Sequence, residues 1–373
     1  MADVRAFARR AGWELSRWRR RLHRLSQLPA GPTALLVSDA QEIAQTQIYP
    51  FHAYAARIER QVGMRLIEID REVLAASSAA VTRPFDQVRW VGFQAMLNCP
   101  LDLLAAQVGQ LKRLFPNAAL VYFDWYAPLD LRHAELLDPW ISAYVKKQTF
   151  ADLRRYAQPT LADTNLMDYF GKRYQIDYAS TEHELPPDFD KKLVVGTNFC
   201  VSAPMFDRFL GNMPIGARDI DVHARITVAG TDWYQRMRAE ALDWAQSMPG
   251  VVTVSKGRVS KRQFLGELER SKICFSAFGY GEVCWRDFEA IFSGALLLKP
   301  RMDHARVEPD IFVDGKTYVA IEWDGSDYRE KVAYYLAHED ERQRIAENAY
   351  AVVQRYLREA PFVDTLCRVI GRA

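Results

Sequence analysis

The segment KICFSAFGYGEVCWRDFEAIFSGALLLKP, Lys272–Pro300, decides the fold of this chain. Its apolar ends predict two buried strands, and the turn Gly279–Gly281 between them is followed by a helix predicted over Glu282–Phe292. A parallel strand–helix–strand unit places such a turn at the carboxyl ends of the strands, where open α/β sheets bind ligands. The unpaired N–H groups at the start of the helix also favour an anion. The segment therefore predicts a phosphate-type binding site.

Strand and helix patterns alternate on both sides of this segment and predict an α/β protein. We expect two Rossmann-like domains whose parallel sheets face a cleft, the first at residues 33–185 and the second at residues 192–356. The polar, proline-bearing stretch Ser180–Lys192 is predicted to link them. Residues 1–28 are predicted to form a separate basic helix, and residues 357–373 a C-terminal helix that packs back on the first domain.

Composition excludes a strong global attraction to nucleic acid, because 49 basic and 47 acidic side chains leave a net charge of +2. The five cysteines are scattered without metal-ligand spacing, and their odd number argues against a disulfide framework. The charge balance indicates a protein that does not bind nucleic acid. The cysteine pattern indicates a cytoplasmic protein. No apolar run is long enough to span a membrane.

The first 28 residues differ from the rest because arginines alternate with Trp and Leu side chains. A basic helix of this kind can lie on the anionic inner face of a membrane, which would make the protein peripheral. It can equally dock on its own domain with solvated arginines. Both interpretations remain open at this stage.

Several blocks of the second half resemble the nucleotide-sugar-binding domain of GT-B glycosyltransferases. RITVAG resembles the strand-and-glycine block that opens that domain, and VSKGRVSKRQFLGELERSKICFSAF resembles its strand, turn, helix and next strand. GEVCWRDFEAIFSGALLLKP resembles the donor-binding helix, and WDGSDYREKVAYYL with ERQRIAENA the C-terminal helical pair. The resemblance implies a GT-B fold and a transferase that moves sugar from a nucleoside-diphosphate sugar to a glycan or lipid-linked acceptor, as in the synthesis of bacterial surface polysaccharides or glycoconjugates.

The resemblance also implies roles for individual residues. Glu289 falls where the family's glutamate contacts the ribose, and Gly279 and Gly281 fall in the turn near the diphosphate. Many retaining members carry Glu-x7-Glu, and the first glutamate of that pattern falls at Gly281. This chain carries Glu282 instead, which gives Glu-x6-Glu, so the stereochemical outcome stays open.

A leaving nucleoside diphosphate needs positive charge, which a helix start and a nearby cation can supply without a metal or other cofactor. Arg286, in the first turns of the predicted helix, is the nearest cation, although it can also be an exposed arginine paired with a glutamate. Glu289 lies in an apolar stretch and needs a partner unless it is a surface residue. The predicted donor-binding residues are Arg225, Gly230, Arg258, Lys261, Gly279, Tyr280, Gly281, Glu282, Arg286 and Glu289.

The first domain carries the candidate general bases, in the stretch LVYFDWYAPLDLRH. Asp124 ends an apolar strand, and Asp130 and His133 follow it; an Asp or a His can take the proton of an acceptor hydroxyl. The alternatives are a structural strand end for Asp124, a helix cap for Asp130 and a surface position for His133. Lys146 and Lys147 either meet an anionic acceptor or are solvated.

Nucleic-acid binding, a third class of function, would rest only on the N-terminal arginines. Two other functions fit the same patterns. One is a nucleotide-sugar epimerase of the same fold. The other is a catalytically silent sugar- or nucleotide-binding scaffold, which the departure from Glu-x7-Glu keeps open. Release of free nucleoside diphosphate only in the presence of an acceptor distinguishes the transferase from the epimerase. Loss of transfer in Glu289→Ala and Asp124→Ala variants that still fold counts against the scaffold.

Overall fold

The computed structural model describes residues 25–78, 81–183 and 185–371 of this 373-residue chain. Most of the basic helix predicted at residues 1–28 lies outside the described residues. The described part of that segment includes a short 3-10 turn, Leu25–Gln27. Within the described ranges, no helix combines the length and the apolar character that a membrane crossing requires.

The strands and helices alternate along the chain as the sequence predicts. The strands, in chain order, are β1 (Thr33–Ser38), β2 (Arg65–Asp70), β3 (Val88–Phe93), β4 (Ala119–Asp124), β5 (Ile141–Lys146), β6 (Gln148–Phe150), β7 (Thr160–Leu161), β8 (Ser180–Thr181), β9 (Leu193–Val195), β10 (Ile220–His223), β11 (Thr253–Val254), β12 (Ser271–Phe275), β13 (Leu296–Pro300), β14 (Ala305–Val307) and β15 (Val319–Ile321). The α-helices are Glu42–Ala53, Ala55–Val62, Arg71–Ser78, Leu101–Leu114, Ala134–Leu137, Asn165–Arg173, Ala203–Leu210, Asp232–Gln246, Lys261–Glu269, Trp285–Phe292, Tyr328–Ala337, Glu339–Glu359 and Pro361–Ile370.

Six parallel strands form the sheet of the first domain, in the order β2-β1-β3-β4-β5-β9. Successive side chains of β1 enter different cores: Ala34 and Leu36 pack on one face of the sheet, and Leu35 and Val37 on the other. Both faces are therefore covered, as expected for a parallel sheet.

The second domain has five parallel strands in the order β11-β10-β12-β13-β15. Ile273 and Phe275 of β12 pack on one face and Cys274 on the other. The predicted fold class, two α/β domains built on parallel sheets, is confirmed.

Three sequence-predicted boundaries are wrong. Leu193–Val195 is the sixth strand of the first sheet, where it pairs with β5, and does not open the second domain. Arg225–Gly230 is a loop after β10 and not a strand. The helix predicted over Glu282–Phe292 begins at Trp285, so Glu282 lies in the loop before it. Short apolar runs do not reveal their pairing partners, and a helix cap is a contact that periodicity cannot show.

Secondary structure joins the two domains at the carboxyl ends of their sheets. β6 follows the end of β5, β14 follows the end of β13, and the two short strands pair antiparallel across the domain boundary. The carboxyl ends of both sheets therefore meet there, which is where α/β sheets bind ligands.

Two helices cross between the domains. Helix Asn165–Arg173 belongs to the first half of the chain but packs on the second domain, where Arg173 pairs with Glu240 at 2.5 Å. Helix Pro361–Ile370 returns to the first domain, where the Phe362 ring contacts Tyr54 with centroids 5.4 Å apart. The Arg173–Glu240 pair and the Phe362–Tyr54 contact therefore connect each domain to a helix from the other half of the chain.

Candidate functional site

A buried polar network fixes the start of helix Trp285–Phe292, which we call the site helix. The Asp287 carboxylate accepts hydrogen bonds from the Cys284 N–H at 2.9 Å and the Ser276 hydroxyl at 2.5 Å. It also lies 3.1 Å from the Lys299 ammonium, an ion pair that lacks the alignment of a hydrogen bond. Asp287 and Lys299 are fully buried. The positive end of the helix dipole is thereby held in place beside the glycine turn.

The glycine turn touches the first domain. Gly281 lies so close to the loop after β4 that a Cβ at this position would collide with the Ala127 carbonyl. Gly279 is less constrained, because a Cβ there would meet its nearest neighbour at 3.5 Å. The Tyr280 ring stacks on Tyr234 with 4.1 Å between centroids. The predicted turn is therefore part of the domain boundary.

Gly230 allows the Tyr280 ring to approach the loop before helix Asp232–Gln246. Its φ of +111° is one that residues with a side chain rarely adopt, and a Cβ would collide with the Tyr280 hydroxyl. That hydroxyl accepts a hydrogen bond from the Thr231 N–H at 3.3 Å. Two predicted donor-binding residues thus meet beside the turn.

Glu289 and Lys261 form an ion pair at the site helix. Glu289 is only 4% exposed, whereas the Lys261 side chain is 65% exposed. The interpretation of Glu289 as a surface glutamate is therefore wrong. Its partner Lys261 is exposed to solvent, so a ligand can reach this pair and replace the lysine. Arg258, in the loop before Lys261, is exposed to solvent and does not take part in this pair.

Arg286 and Arg225 place positive charge beside the same helix. Arg286 donates to the Arg225 carbonyl, and its Nε has no hydrogen-bond partner in the part of the chain that the structure describes. The Arg225 guanidinium is bound to Glu267 at 2.5 and 2.8 Å. Burial lowers the pKa of His223 to about 4, and the charges of Arg286 and Arg225 lower it further than the nearby Glu267 raises it. His223 is therefore neutral at pH 7, and the arginines carry the local positive charge.

Glu282 lies apart from Glu289, at the domain boundary. It is 1% exposed, and its Oε1 accepts a hydrogen bond from the Asn165 amide at 3.2 Å and lies 3.6 Å from His304 Nε2. Glu282 Oε2 and His304 Nε2 have no hydrogen-bond partner among residues 25–78, 81–183 and 185–371. Because a buried polar atom without a partner is costly, these atoms are suited to contact a ligand or water.

Asp124 is buried at the end of β4, and its carboxylate is fully engaged. Oδ2 accepts hydrogen bonds from the Tyr144 hydroxyl at 2.6 Å and the Lys146 ammonium at 2.8 Å, and Oδ1 from the Tyr126 N–H at 2.9 Å. Asp124 is 1% exposed. This environment suits a carboxylate that organises the strand ends, and it leaves Asp124 little capacity to accept an acceptor proton.

Asp130 and His133 are also engaged with neighbouring side chains. Burial alone would raise the pKa of Asp130, but hydrogen bonds from Arg132 at 2.6 and 2.8 Å hold that pKa below its ordinary value. His133 is buried with its Nδ1 2.9 Å from the Tyr122 hydroxyl, and burial lowers its pKa. The surface interpretation of His133 is therefore wrong. Across the described ranges, no group of three or more His, Cys, Asp or Glu side chains is placed to hold a metal ion.

Lys147 is not among the sequence-predicted site residues, although the structure places it beside them. Of the two alternatives for Lys146 and Lys147, an anionic acceptor or solvation, solvation is wrong because both side chains are buried. Lys146 pairs with Asp124, whereas the Lys147 Nζ lies 4.5 Å from the centroid of the Phe199 ring. The sequence signal was the pair of lysines after an apolar strand, but burial cannot be read from that pattern.

The second domain matches a family model described as glycosyl transferase-like, over residues 214–366. No curated protein matches the sequence. A solved glycosyltransferase structure from Rickettsia africae ESF-5 is similar at a TM-score of 0.52, with 11% identity over 91% of this chain and 98% of that chain. The Anabaena protein HepE, solved with UDP-glucose, is similar at a TM-score of 0.50, with 8% identity over 91% of this chain and all (100%) of that chain. Likeness at this level of identity shows a shared fold.

The fold defines a two-domain α/β architecture. Two parallel α/β domains meet at the carboxyl ends of their sheets, and the second of them carries the family match. Residues 214–366 match the glycosyl transferase-like family model and the chain shares its fold with solved glycosyltransferases, so the predicted GT-B fold is confirmed.

Proposed function

We propose that this glycosyltransferase takes its sugar from a nucleoside-diphosphate sugar bound along the site helix. The observation that carries the proposal is the pair formed by the buried Glu289 and the exposed Lys261. A carboxylate can accept hydrogen bonds from both hydroxyls of a ribose, and the displaced ammonium is then free to meet a phosphate. HepE, which shares the fold, was solved with a ligand of this donor class.

The positive charge around the helix start supports departure of the nucleoside diphosphate. The N-terminal end of the site helix carries a partial positive charge, and Arg286 lies in its first turn with an Nε that has no hydrogen-bond partner among the described residues. The diphosphate gains negative charge as the glycosidic bond breaks, so these groups stabilise the transition state more than the bound donor. We propose that they do so without a metal or other cofactor, and activity should then persist in EDTA.

The acceptor, in this proposal, is a glycan or lipid-linked sugar held on the first-domain side, in the synthesis of bacterial surface polysaccharides or glycoconjugates. Asp130 is the best placed of the proposed bases, since it lines a small cavity of about 30 Å³ together with Asn165, which in turn contacts Glu282. Asp124 and His133 stay proposed catalytic residues, and, like Asp130 with Arg132, they would first have to release their present partners.

We further propose that the protein acts in the cytoplasm and that residues 1–28 attach it to the inner face of a membrane. The arginines and tryptophans of that segment support this proposal. The full chain is expected to co-sediment with anionic phosphatidylglycerol vesicles at low salt, and a variant without residues 1–28 is expected to stay in solution. Absence of co-sedimentation of the full chain contradicts the membrane proposal and leaves sugar transfer untouched.

Nucleotide binding tests the donor proposal. UDP or GDP should raise the melting temperature of the protein, because a ligand of the native state stabilises it. Glu289→Gln and Lys261→Met should weaken that affinity roughly 10- to 100-fold, the range expected for hydrogen bonds to charged groups. Lys272→Met is the matched control, because Lys272 pairs with Asp221 at 2.7 Å in the same domain but at the amino end of β12. Unchanged affinity of Glu289→Gln for UDP and GDP, or no binding of either nucleotide to the wild type, would contradict the proposal.

A further inference from the structure

Lys147 is a buried lysine at the point where the two domains meet. It follows β5 directly and precedes β6, the strand that pairs with β14 across the boundary. It is 1% exposed. Within the described ranges its ammonium has neither an ion pair nor a hydrogen bond, and it lies over the Phe199 ring, 4.5 Å from the ring centroid.

The neighbouring lysine shows how a buried ammonium is normally accommodated. Lys146 donates to Asp124 Oδ2 at 2.8 Å, and Tyr144 donates to the same carboxylate oxygen, whereas Lys147 makes no ion pair with Asp124. Burial, with the added charge of Lys146 and against the attraction of Asp124, lowers the pKa of Lys147 to about 7. A buried ammonium without a counterion is costly, and an anionic ligand would offset that cost.

The Phe199 ring connects Lys147 to the site helix. Its centroid lies 4.6 Å from the ring of Trp285, the first residue of that helix, while the Lys147 ammonium lies over the same phenyl ring. The Asn198 amide donates to the Lys147 carbonyl at 3.4 Å and fixes the backbone at this position. Lys147 therefore lies on the first-domain side of the boundary, where the Phe199 ring contacts both its ammonium and Trp285 at the helix start.

We propose that Lys147 binds phosphate and is the contribution of the first domain to the diphosphate site of the donor. This inference rests on the proposed binding of a nucleoside-diphosphate sugar at the site helix. Lys261 and Arg286 belong to the second domain, so Lys147 would add a cation from the first domain to the same diphosphate. The bound nucleotide then links the two domains electrostatically, and its departure weakens that link.

Lys147→Met tests the inference, because methionine keeps most of the apolar side chain and removes the charge. The ligand-free variant is expected to melt at a higher temperature than the wild type, because it no longer buries an uncompensated ammonium. Its affinity for UDP or GDP should fall about tenfold or more, and its affinity for the nucleoside should not change. Lys272→Met, the control, should leave nucleotide affinity unaltered.

Lys147→Arg keeps the charge and should retain most of the nucleotide affinity, which also covers the case in which the methionine variant does not fold. Wild-type affinity for UDP and GDP in Lys147→Met overturns the inference while the proposed function stands. A folded Lys147→Arg that has lost its affinity for the nucleoside diphosphate also overturns it. If the wild-type protein binds neither nucleotide, the proposed function fails first.

Discussion

Gly281 of the second domain lies directly against the backbone carbonyl of Ala127 in the first, and this contact sets how the glycine turn meets the domain boundary. A backbone carbonyl cannot rotate away as a flexible side chain can. Gly281→Ala should therefore force the boundary to shift, destabilise the folded protein by about 1–3 kcal/mol and lower sugar transfer. Thermal unfolding and steady-state turnover measure the two effects.

Gly279→Ala is the matched control for that substitution. A Cβ at Gly279 would meet its nearest neighbour at 3.5 Å, which is ordinary van der Waals contact. Its melting temperature and turnover should stay close to those of the wild type. Equal damage from the two alanines would show that the turn needs glycine for backbone freedom and not for contact with Ala127.

Glu282→Gln should lower turnover roughly 10- to 100-fold, the range expected for loss of a hydrogen bond to a charged group, with little change in stability. Glu282 Oε2, which has no hydrogen-bond partner in the described part of the chain, lies at the domain boundary and is available to a sugar hydroxyl. Steady-state kinetics and thermal unfolding check this outcome. Glu269→Gln, which removes a charge from an exposed pair with Arg208 at 3.2 Å, should leave turnover unchanged. Wild-type turnover in Glu282→Gln would remove Glu282 from the site.

Asp287→Asn should destabilise the protein by about 3–5 kcal/mol, because it leaves the buried Lys299 ammonium without its counterion. Urea unfolding measures the loss. Asp219→Asn breaks an exposed pair with Arg270 in the same domain and should change the free energy of unfolding far less. Comparable losses in the two variants would mean that the Asp287–Lys299 pair does not anchor the site helix.

Affinity for a nucleoside diphosphate should fall as the pH rises from about 7 to about 9. Burial and the charge of Lys146 lower the pKa of Lys147 to about 7, against the attraction of Asp124. The neighbouring Phe199–Val201 turn contributes the Cys200 thiol, whose pKa is raised by burial. A bound phosphate favours the ammonium, so binding is strongest below the pKa of Lys147 and weakens above it by up to about tenfold per pH unit.

Titration calorimetry over this pH range measures the effect. Lys147→Arg should show a much flatter profile, because a guanidinium stays protonated throughout. A wild-type profile that is already flat, or one that the arginine does not change, would assign the pH dependence to another group.

The sequence predicts the strand–turn–helix–strand unit of Lys272–Pro300 well, because short apolar runs with glycines between them suit few other structures. It also predicts that Glu289, a carboxylate among apolar residues, must have a partner. It misplaces the helix start, because Cys284 is capped by the Asp287 side chain and such a contact leaves no periodic signal. That shift moves Glu282 from the helix to the domain boundary.

Contacts between distant parts of the chain could not be predicted in this way. The strand Leu193–Val195 is too short for its pattern to show which sheet it joins. Asp124 ends its strand as predicted, but its engagement depends on Tyr144 and Lys146 of the neighbouring strand. The burial of Lys147 likewise depends on Phe199, which is brought there by the fold.

A crystal structure of the protein with bound UDP or GDP tests the central claim most directly. The account predicts that the ribose hydroxyls lie within hydrogen-bond distance of Glu289, with Lys261 displaced toward the diphosphate at the start of the site helix. A nucleotide bound elsewhere, with the Glu289–Lys261 pair intact, would contradict it.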